Sequence, residues 1–196
     1  MIQKILTLAL LIPFVTGCIH TEENEMIIPK ARAYYRLNLP PKKYKYYDLT
    51  CPYAFEIPCY AFVEKDPEKN SEPCWINIKF PNFKATIHVS YKKIDNNLKL
   101  YIADAHEFAN RHQVKASGLE RTPIKRDSAH VYGIFYEIQG NTASNIQFFV
   151  TDSTKNFLRG ALYFNCTPNI DSLQVVIDFL KTDLLHLVNT FQWKQQ

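Results

Sequence analysis

The residue whose surroundings most clearly indicate chemistry is Cys18, which follows a short apolar segment near the amino terminus. Lys4 precedes the apolar residues 5–15, and small residues at 16–17 lead into the cysteine. This order is typical of a lipobox, in which the thiol accepts a diacylglyceryl group and a signal peptidase cuts the preceding bond. A membrane-spanning helix needs about 20 apolar residues, more than this segment contains. We therefore expect cleavage after residue 17 and a lipid anchor at Cys18, with fatty acyl chains such as palmitate.

Four further cysteines follow the predicted anchor, an even number that suits a compartment where disulfides form. They are Cys51, Cys59, Cys74 and Cys166, and three pairings are open. Residues 53–57 read as an extended strand, which rises about 3.3 Å per residue and would hold Cys51 and Cys59 too far apart. We expect a disulfide between Cys51 and Cys74, with Cys59 and Cys166 either paired or free and buried.

The remaining polar side chains indicate neither a metal site nor a catalytic centre. The six histidines include no pair at i and i+4 and no H-E-x-x-H pattern, and no C-x-x-C pair occurs. No G-x-S-x-G pattern marks a serine nucleophile. Asp183 and His186 lie three residues apart in a predicted helix, a spacing that indicates a surface hydrogen bond. We expect a non-enzymatic protein without a metal or cofactor.

A small polar segment, residues 140–144, lies between two predicted strands and is a candidate interaction loop. Within it Gly140, Asn141 and Ser144 would offer backbone groups, an amide and a hydroxyl to a partner or ligand. The simpler interpretation is an ordinary hairpin loop, and it is the favoured one. These three residues are nevertheless the first choice for mutation.

Charge and composition exclude some classes of protein. Of the 23 basic residues Lys4 lies in the predicted leader, which leaves 22 basic against 19 acidic residues, a net charge of +3. That balance does not indicate nucleic acid binding. The chain has 12 Tyr and 13 Phe but only 5 Gly, and aromatic side chains favour the half-buried faces of a sheet.

The predicted organisation has three parts, a signal peptide over 1–17, a lipidated tether over 18–52 and one globular domain over 53–196. Scattered prolines in the tether stiffen the chain and interrupt regular elements. Residues 40–47 combine prolines, lysines and tyrosines. They either meet anionic lipid or glycan at an interface or pack along the edge of the domain, and the second alternative is favoured.

The element pattern predicts an α+β fold, with an antiparallel sheet flanked by helices. Apolar alternation and turn residues indicate strands early in the domain, then an amphipathic helix ending near His112. Three strands in an antiparallel meander follow, and the chain closes with a helix whose apolar stripe must lie on the sheet. The predicted strands cover 53–57, 60–65, 75–80, 85–92, 131–139, 145–152 and 157–165, and the predicted helices begin near 96 and 168.

Several short motifs occur in an order that resembles a known family. They follow the lipobox and are the segments CPYAFE at 51–56, CWIN at 74–77, VYGIFYE at 131–137, GNTAS at 140–144 and FQWK at 191–194. Over nearly the whole chain the sequence resembles GldD, the gliding-motility lipoproteins of the Bacteroidota. The resemblance implies a component required for gliding and for the type IX secretion system, and it implies no catalytic residue. More distantly, the order of elements in the carboxyl-terminal half is similar to the Mog1/PsbP-like fold.

The function expected from these observations is an assembly or structural component of the gliding and secretion machinery. Its partners would be other envelope proteins and the membrane that holds the lipid on Cys18, with the outer membrane, periplasmic side, as the expected location. The alternative is a periplasmic module that binds a small ligand or peptide between its helices and sheet. Phe108 and the apolar stripe 173–191 would line such a cavity, although apolar residues at helical spacing more commonly form core.

Overall fold

A computed structural model of the chain describes residues 37–48, 50–111 and 116–194. All of them belong to one compact unit. The predicted signal peptide, Cys18 and most of the predicted tether lie outside the described residues.

The described chain contains ten strands and two α-helices. The strands are β1 (Tyr44–Asp48), β2 (Tyr53–Pro58), β3 (Phe62–Lys65), β4 (Ile76–Phe80), β5 (Ala85–Lys93), β6 (Ala116–Arg126), β7 (Val131–Gly140), β8 (Ile146–Thr151), β9 (Asn156–Phe164) and β10 (Gln192–Trp193). The helices are α1 (Leu98–Arg111), between β5 and β6, and α2 (Ile170–Thr190), between β9 and β10.

The strands form a large and a small sheet, and every pair is antiparallel. The large sheet has the order β3-β4-β5-β9-β8-β7-β6, and the small sheet has the order β1-β2-β10. Strands β7, β8 and β9 form the predicted meander, and β9 then pairs along its whole length with β5. The predicted α+β class with an antiparallel sheet is confirmed.

One face of the large sheet, here called the inner face, packs against α2 and the small sheet. Its side chains alternate along the strands and are almost entirely apolar, as in Ile76, Ile78 and Phe80 of β4. At its centre a Cβ on Gly160 would lie 2.4 Å from the Phe148 ring, so the ring requires a glycine at that position. The apolar stripe of α2 lies on this face as predicted, with six buried apolar residues: Val176, Ile177, Leu180, Leu184, Leu187 and Val188.

Among the described helices, α1 is the one that packs on the opposite, outer face of the large sheet. Only two residues of this helix are buried, Ala105 and Ala109. Because alanine side chains are short, the helix approaches the sheet closely while burying little apolar area of its own. The second core that forms here is small, and its buried sheet residues are Tyr136, Ile138, Phe149 and Phe157.

Three strands were not predicted from the sequence. β1 lies in the segment assigned to the tether, so residues 44–48 are part of the fold and pack along its edge. β6 is an edge strand that pairs only with β7, and most of its side chains are exposed, so the sequence shows no alternation. Pro123 within β6 is tolerated because an edge strand has one unpaired side. β10 is two residues long.

Within the described ranges, neither helix combines the length and the apolar character that crossing a bilayer requires.

Candidate functional site

The predicted disulfide between Cys51 and Cys74 is present, with the two Cα atoms 5.6 Å apart. It joins the start of β2, in the small sheet, to the loop before β4, in the large sheet. The hydroxyl of Tyr53 donates a hydrogen bond to the Cys74 carbonyl at 2.6 Å, across the same junction. Cys59 and Cys166 are free and exposed, which corrects the expectation that they are paired or buried. Both follow the end of a strand, β2 or β9, where the chain has turned toward solvent.

The candidate interaction loop has most of its polar groups directed inward. Ser144 is fully buried, and its hydroxyl donates to the Ile146 carbonyl. Asn141 is exposed, but its side-chain oxygen accepts the backbone N–H of Ile170 at 2.7 Å, at the start of α2. Gly140 has φ of 98°, the left-handed region that favours glycine. These contacts fix the loop against α2, and its role as an interaction site stays a prediction.

A buried carboxylate, Asp183 of α2, holds the first part of the described chain. The Lys42 Nζ lies 2.8 Å from Asp183 Oδ2 and is the partner in an ion pair. Asp183 also accepts hydrogen bonds from the hydroxyls of Tyr44, at 3.0 Å, and Tyr60. Sequence spacing indicated a surface bond from Asp183 to His186, and the structure corrects this. His186 Nε2 instead lies 2.6 Å from a carboxylate oxygen of Glu56 in β2. The Asp183 carboxylate is directed toward Lys42 and Tyr44, at the start of β1.

The surroundings of Asp183 explain the protonation states of its partners. Burial lowers the pKa of Lys42. Its hydrogen bond with Asp183 and the negative charge of that carboxylate oppose the shift. Burial, with the nearby carboxylate, raises the pKa of Tyr44 to about 12 and raises that of Tyr60 as well. Both hydroxyls are therefore neutral donors at physiological pH. The ammonium of Lys42 also lies 3.3 Å from the centre of the Phe179 ring. The cluster fastens residues 42–44 to the middle of α2.

A groove of ≈ 430 Å³ lies on the outer face, between α1 and the loop that joins β3 to β4. We call it the α1 groove. Strands β5 and β9 form its floor, and α1 presents residues spaced three and four apart along one wall. Its lining residues are Asp66, Trp75, His88, Val89, Ser90, Lys92, Tyr101, Asp104, Ala105, Phe108, Phe157 and Arg159.

The inner part of the α1 groove contains a cation, Arg159 of β9, that has no carboxylate partner among the described residues. Its Nη2 donates to the side-chain oxygen of Gln147 at 2.6 Å, and Tyr163 also bonds it. The Phe108 ring lies over the guanidinium, 4.6 Å from its carbon. Burial lowers the pKa of Arg159, and Tyr163 opposes the shift, but an arginine stays charged. Its buried Nε has no acceptor in the described part of the chain.

The floor of the groove is polar and neutral beside this cation. His88 Nδ1 lies 2.7 Å from the side-chain oxygen of Asn77, so this nitrogen carries the proton when the ring is neutral. Partial burial lowers the pKa of His88, and the charge of Asp66 opposes this while Lys79 adds to it. A lowered pKa leaves the imidazole neutral at pH 7.

A wider cleft of ≈ 870 Å³ lies where the ends of α2 and β10 meet the β6–β7 and β8–β9 turns. Its charged groups are used to close the fold. Arg126 donates to the carbonyls of Val188, at 3.1 Å, and Phe191, at 2.7 Å, which lie at the carboxyl end of α2. Lys194 forms an ion pair with Asp48. This cleft is therefore chiefly structural.

No group of three or more potential metal ligands comes together in the residues that the structure describes. Phe108, for which the sequence favours a core position over a cavity position, lines the α1 groove. Sequence analysis missed Arg159, although a charged residue inside the apolar run 157–164 is unusual and marks the site. It also missed the buried role of Asp183, because its partners lie more than 120 positions away.

Comparison with known proteins gives a distant structural likeness and a clear family. The chain is similar to the solution structure of cyanobacterial PsbP (CyanoP) from Synechocystis sp. PCC 6803, at 12% identity and a TM-score of 0.46. That likeness covers 81% of this chain and 96% of the other, and at this score it supports no argument about the site. A search of curated proteins finds no match.

The model of one protein family, described as gliding motility lipoprotein GldD, matches residues 24–193. The match extends from before β1 to the end of β10 and so includes both sheets, both helices and the α1 groove. The chain therefore belongs to the GldD family of gliding motility lipoproteins, lipid-anchored proteins of the cell envelope that are associated with gliding motility.

Proposed function

We propose that this protein is a non-enzymatic assembly or structural component of the gliding-motility and type IX protein secretion machinery. The observation that carries the proposal is the family match over residues 24–193. In the proposal the chain is anchored by lipid on Cys18 in the outer membrane, faces the periplasm and contacts other envelope proteins of the machinery.

The contacts around Asp183 support a structural role for the start of the domain. Lys42 lies 24 positions after the proposed lipid site, and it is held by Asp183, the Phe179 ring and the Phe179 carbonyl, the last at 2.8 Å. These contacts attach residue 42 directly to α2, and β1 attaches the following residues to β2. The disulfide between Cys51 and Cys74 then joins the small sheet to the large one. A covalent link and a buried ion pair at the entry to the domain suit a component that is held between a membrane and its partners.

The test is gene deletion followed by complementation. We expect the deletion strain to lose both surface spreading and secretion of type IX cargo, and the wild-type gene to restore both. Complementation with Cys18→Ala should give a protein that partitions into the aqueous phase rather than the detergent phase. This variant should not restore spreading. A deletion strain that spreads and secretes normally would contradict the proposal.

A second candidate function, a module that binds a ligand or peptide, is favoured by one observation. The α1 groove combines aromatic walls with an arginine that lacks a carboxylate partner among the described residues, and pockets with this composition commonly bind ligands. The two functions are compatible, because a component of an assembly can hold a partner in a groove. Native mass spectrometry of the protein purified from its host should then show a bound species of defined mass.

A further inference from the structure

We propose that the α1 groove binds the carboxyl-terminal end of a peptide with apolar last residues, and that Arg159 receives the terminal carboxylate. This inference rests on the second candidate function and names its ligand.

A carboxylate is the expected partner for Arg159 because this half-buried cation has no carboxylate partner among the described residues, whereas Lys92, the other cation of the groove, is paired with Glu72. The guanidinium is a planar fork that matches the two oxygens of a carboxylate. Its present partners, Gln147 and Tyr163, are not carboxylates, and its buried Nε hydrogen has no acceptor in the described chain. A half-buried charge without a counter-ion is costly, and a ligand carboxylate would compensate it.

The walls of the groove indicate an apolar ligand beside that carboxylate. Trp75, Tyr101, Phe108 and Phe157 present aromatic surface around the floor. Phe108 is 40% exposed while it packs over the Arg159 guanidinium, so part of its ring is open to an apolar ligand. Because so much of its ring faces solvent, the ring can turn away from the guanidinium without opening the core beneath.

The charges at the edge of the groove favour a peptide over a phosphate or a fatty acid. Asp66 and Asp104 also line the groove, and because Lys92 is already paired with Glu72, these two carboxylates would repel a multiply charged anion. The same carboxylates, with the hydroxyl of Ser90 and the neutral His88, can bond the N–H and C=O groups of a peptide backbone. The hydrocarbon tail of a fatty acid would leave these polar groups without partners. A volume of ≈ 430 Å³ lies within the usual range for ligand pockets and limits the bound segment to a few residues.

The experiment measures peptide retention by the full mature lipoprotein in nanodiscs. One pool contains acetylated tetrapeptides of random sequence that end in Phe, Leu, Ile or Val with a free carboxylate. A second pool is identical but amidated at the carboxyl end. We expect at least about tenfold greater retention from the free-acid pool, since a charge-assisted hydrogen bond to a carboxylate is stronger than a bond to a neutral amide. Retained peptides are identified and counted by mass spectrometry.

Arg159→Gln should reduce retention of the free-acid pool to the level of the amidated pool. Arg121→Gln is the matched control, because Arg121 is exposed, bonds Asn110 at 2.8 Å and does not line the groove. The comparison of the two pools on the wild-type protein does not depend on how well either variant folds. Equal retention of both pools, or retention of neither, would overturn the proposal.

Competition identifies the source of the bound carboxylate. Octanoate and inorganic phosphate are added separately to the free-acid pool. Peptides that persist against both support the proposal, whereas displacement by octanoate would show a fatty acid site and displacement by phosphate a general anion site. Each displacement would overturn the proposal. The binding assay is independent of the spreading and secretion assays. Failure of the peptide-binding proposal is therefore distinguishable from failure of the first proposed function.

Discussion

The two faces of the large sheet differ in how they are covered. The inner face is buried beneath the long helix α2 and the small sheet, and its core contains large side chains such as Phe55, Phe148 and Phe191. The outer face is covered by α1, which buries two alanines, and beyond α1 the strands present His88 and Arg159 to a groove. Apolar burial supplies most of the favourable free energy of folding. The difference therefore indicates that the inner face maintains the fold, while the outer face is free to carry a binding site.

The largest expected difference between the faces concerns the two helices. Leu184→Ala in α2 removes a fully buried side chain and should cost about 3 kcal/mol of unfolding free energy, partly through the cavity that remains. Ile102→Ala in α1 removes a partly buried side chain and should cost about 1 kcal/mol. Denaturant unfolding of both variants measures the two values. Equal losses would contradict the assignment of the stabilising core to the inner face.

Removal of the disulfide tests whether the small sheet is fastened covalently over the inner face. The double variant Cys51→Ser with Cys74→Ser should lose about 3 kcal/mol, because the unfolded chain regains the freedom of a loop that spans 23 positions. Cys59→Ser is the control, since Cys59 is free and exposed, and it should leave stability within about 0.5 kcal/mol. Thermal unfolding without reductant compares the two. A double variant as stable as the control would show that packing alone holds the small sheet.

The Asp183 cluster is the polar exception on the inner side and should contribute less. Asp183→Asn keeps the shape of the side chain but removes the charge that pairs with Lys42. Breaking a buried ion pair costs roughly 3–5 kcal/mol of unfolding free energy. The Lys42 side chain is 27% exposed, so solvent screens the pair and we expect a loss of about 2 kcal/mol. Asp178→Asn on the same helix, where the exposed carboxylate accepts a hydrogen bond from the exposed Gln174, should change stability by less than about 0.5 kcal/mol.

Proteolysis gives an independent measurement of the same cluster. Trypsin should cleave after Lys42 or Lys43 faster in Asp183→Asn than in Asp178→Asn, because residues 42–44 are released from α2. Unchanged cleavage in Asp183→Asn would show that β1 holds this segment without the carboxylate.

The smallest expected effect is a dependence on pH at the β8–β9 turn, which belongs to neither face. Burial alone would raise the pKa of Asp152, but bonds from the backbone N–H groups of Thr154, Lys155 and Asn156 lower it overall. A lowered pKa in the folded state stabilises the fold above the ordinary value near 3.8. That contribution is lost as the pH falls through the lowered pKa.

We expect the contribution of Asp152 to be about 0.5 kcal/mol at pH 7, because this carboxylate is partly exposed and solvent screens its charge. Asp152→Asn should be less stable than wild type by this amount at pH 7 and indistinguishable from it at the lowest pH where the protein stays folded. Denaturant unfolding at a series of pH values measures the difference. A difference that is constant with pH would rule out the ionised carboxylate as the cause.

Sequence patterns predicted the elements that have one buried face. Alternation in β5 and the stripe of α2 follow directly from burial on a single side, so their residue types repeat with the period of the strand or helix. Strand geometry excluded only the pairing of Cys51 with Cys59, and the disulfide between Cys51 and Cys74, one of the two pairings left open, is present in the structure. Edge strand β6 and the strand β1 were missed because most of their side chains are exposed, and exposed positions accept almost any residue.

By itself the sequence determined the family, the antiparallel α+β class and the expected lipid site at Cys18, because these depend on local spacing or on short ordered motifs. Only the tertiary structure decided that Asp183 is buried against Lys42, and that Arg159 lines a groove without a carboxylate partner among the described residues. Both facts depend on side chains brought together by strand register and helix packing. Nothing in the residues adjacent to Asp183 or Arg159 along the chain specifies those neighbours, since a charged residue in an apolar run shows only that some partner is needed.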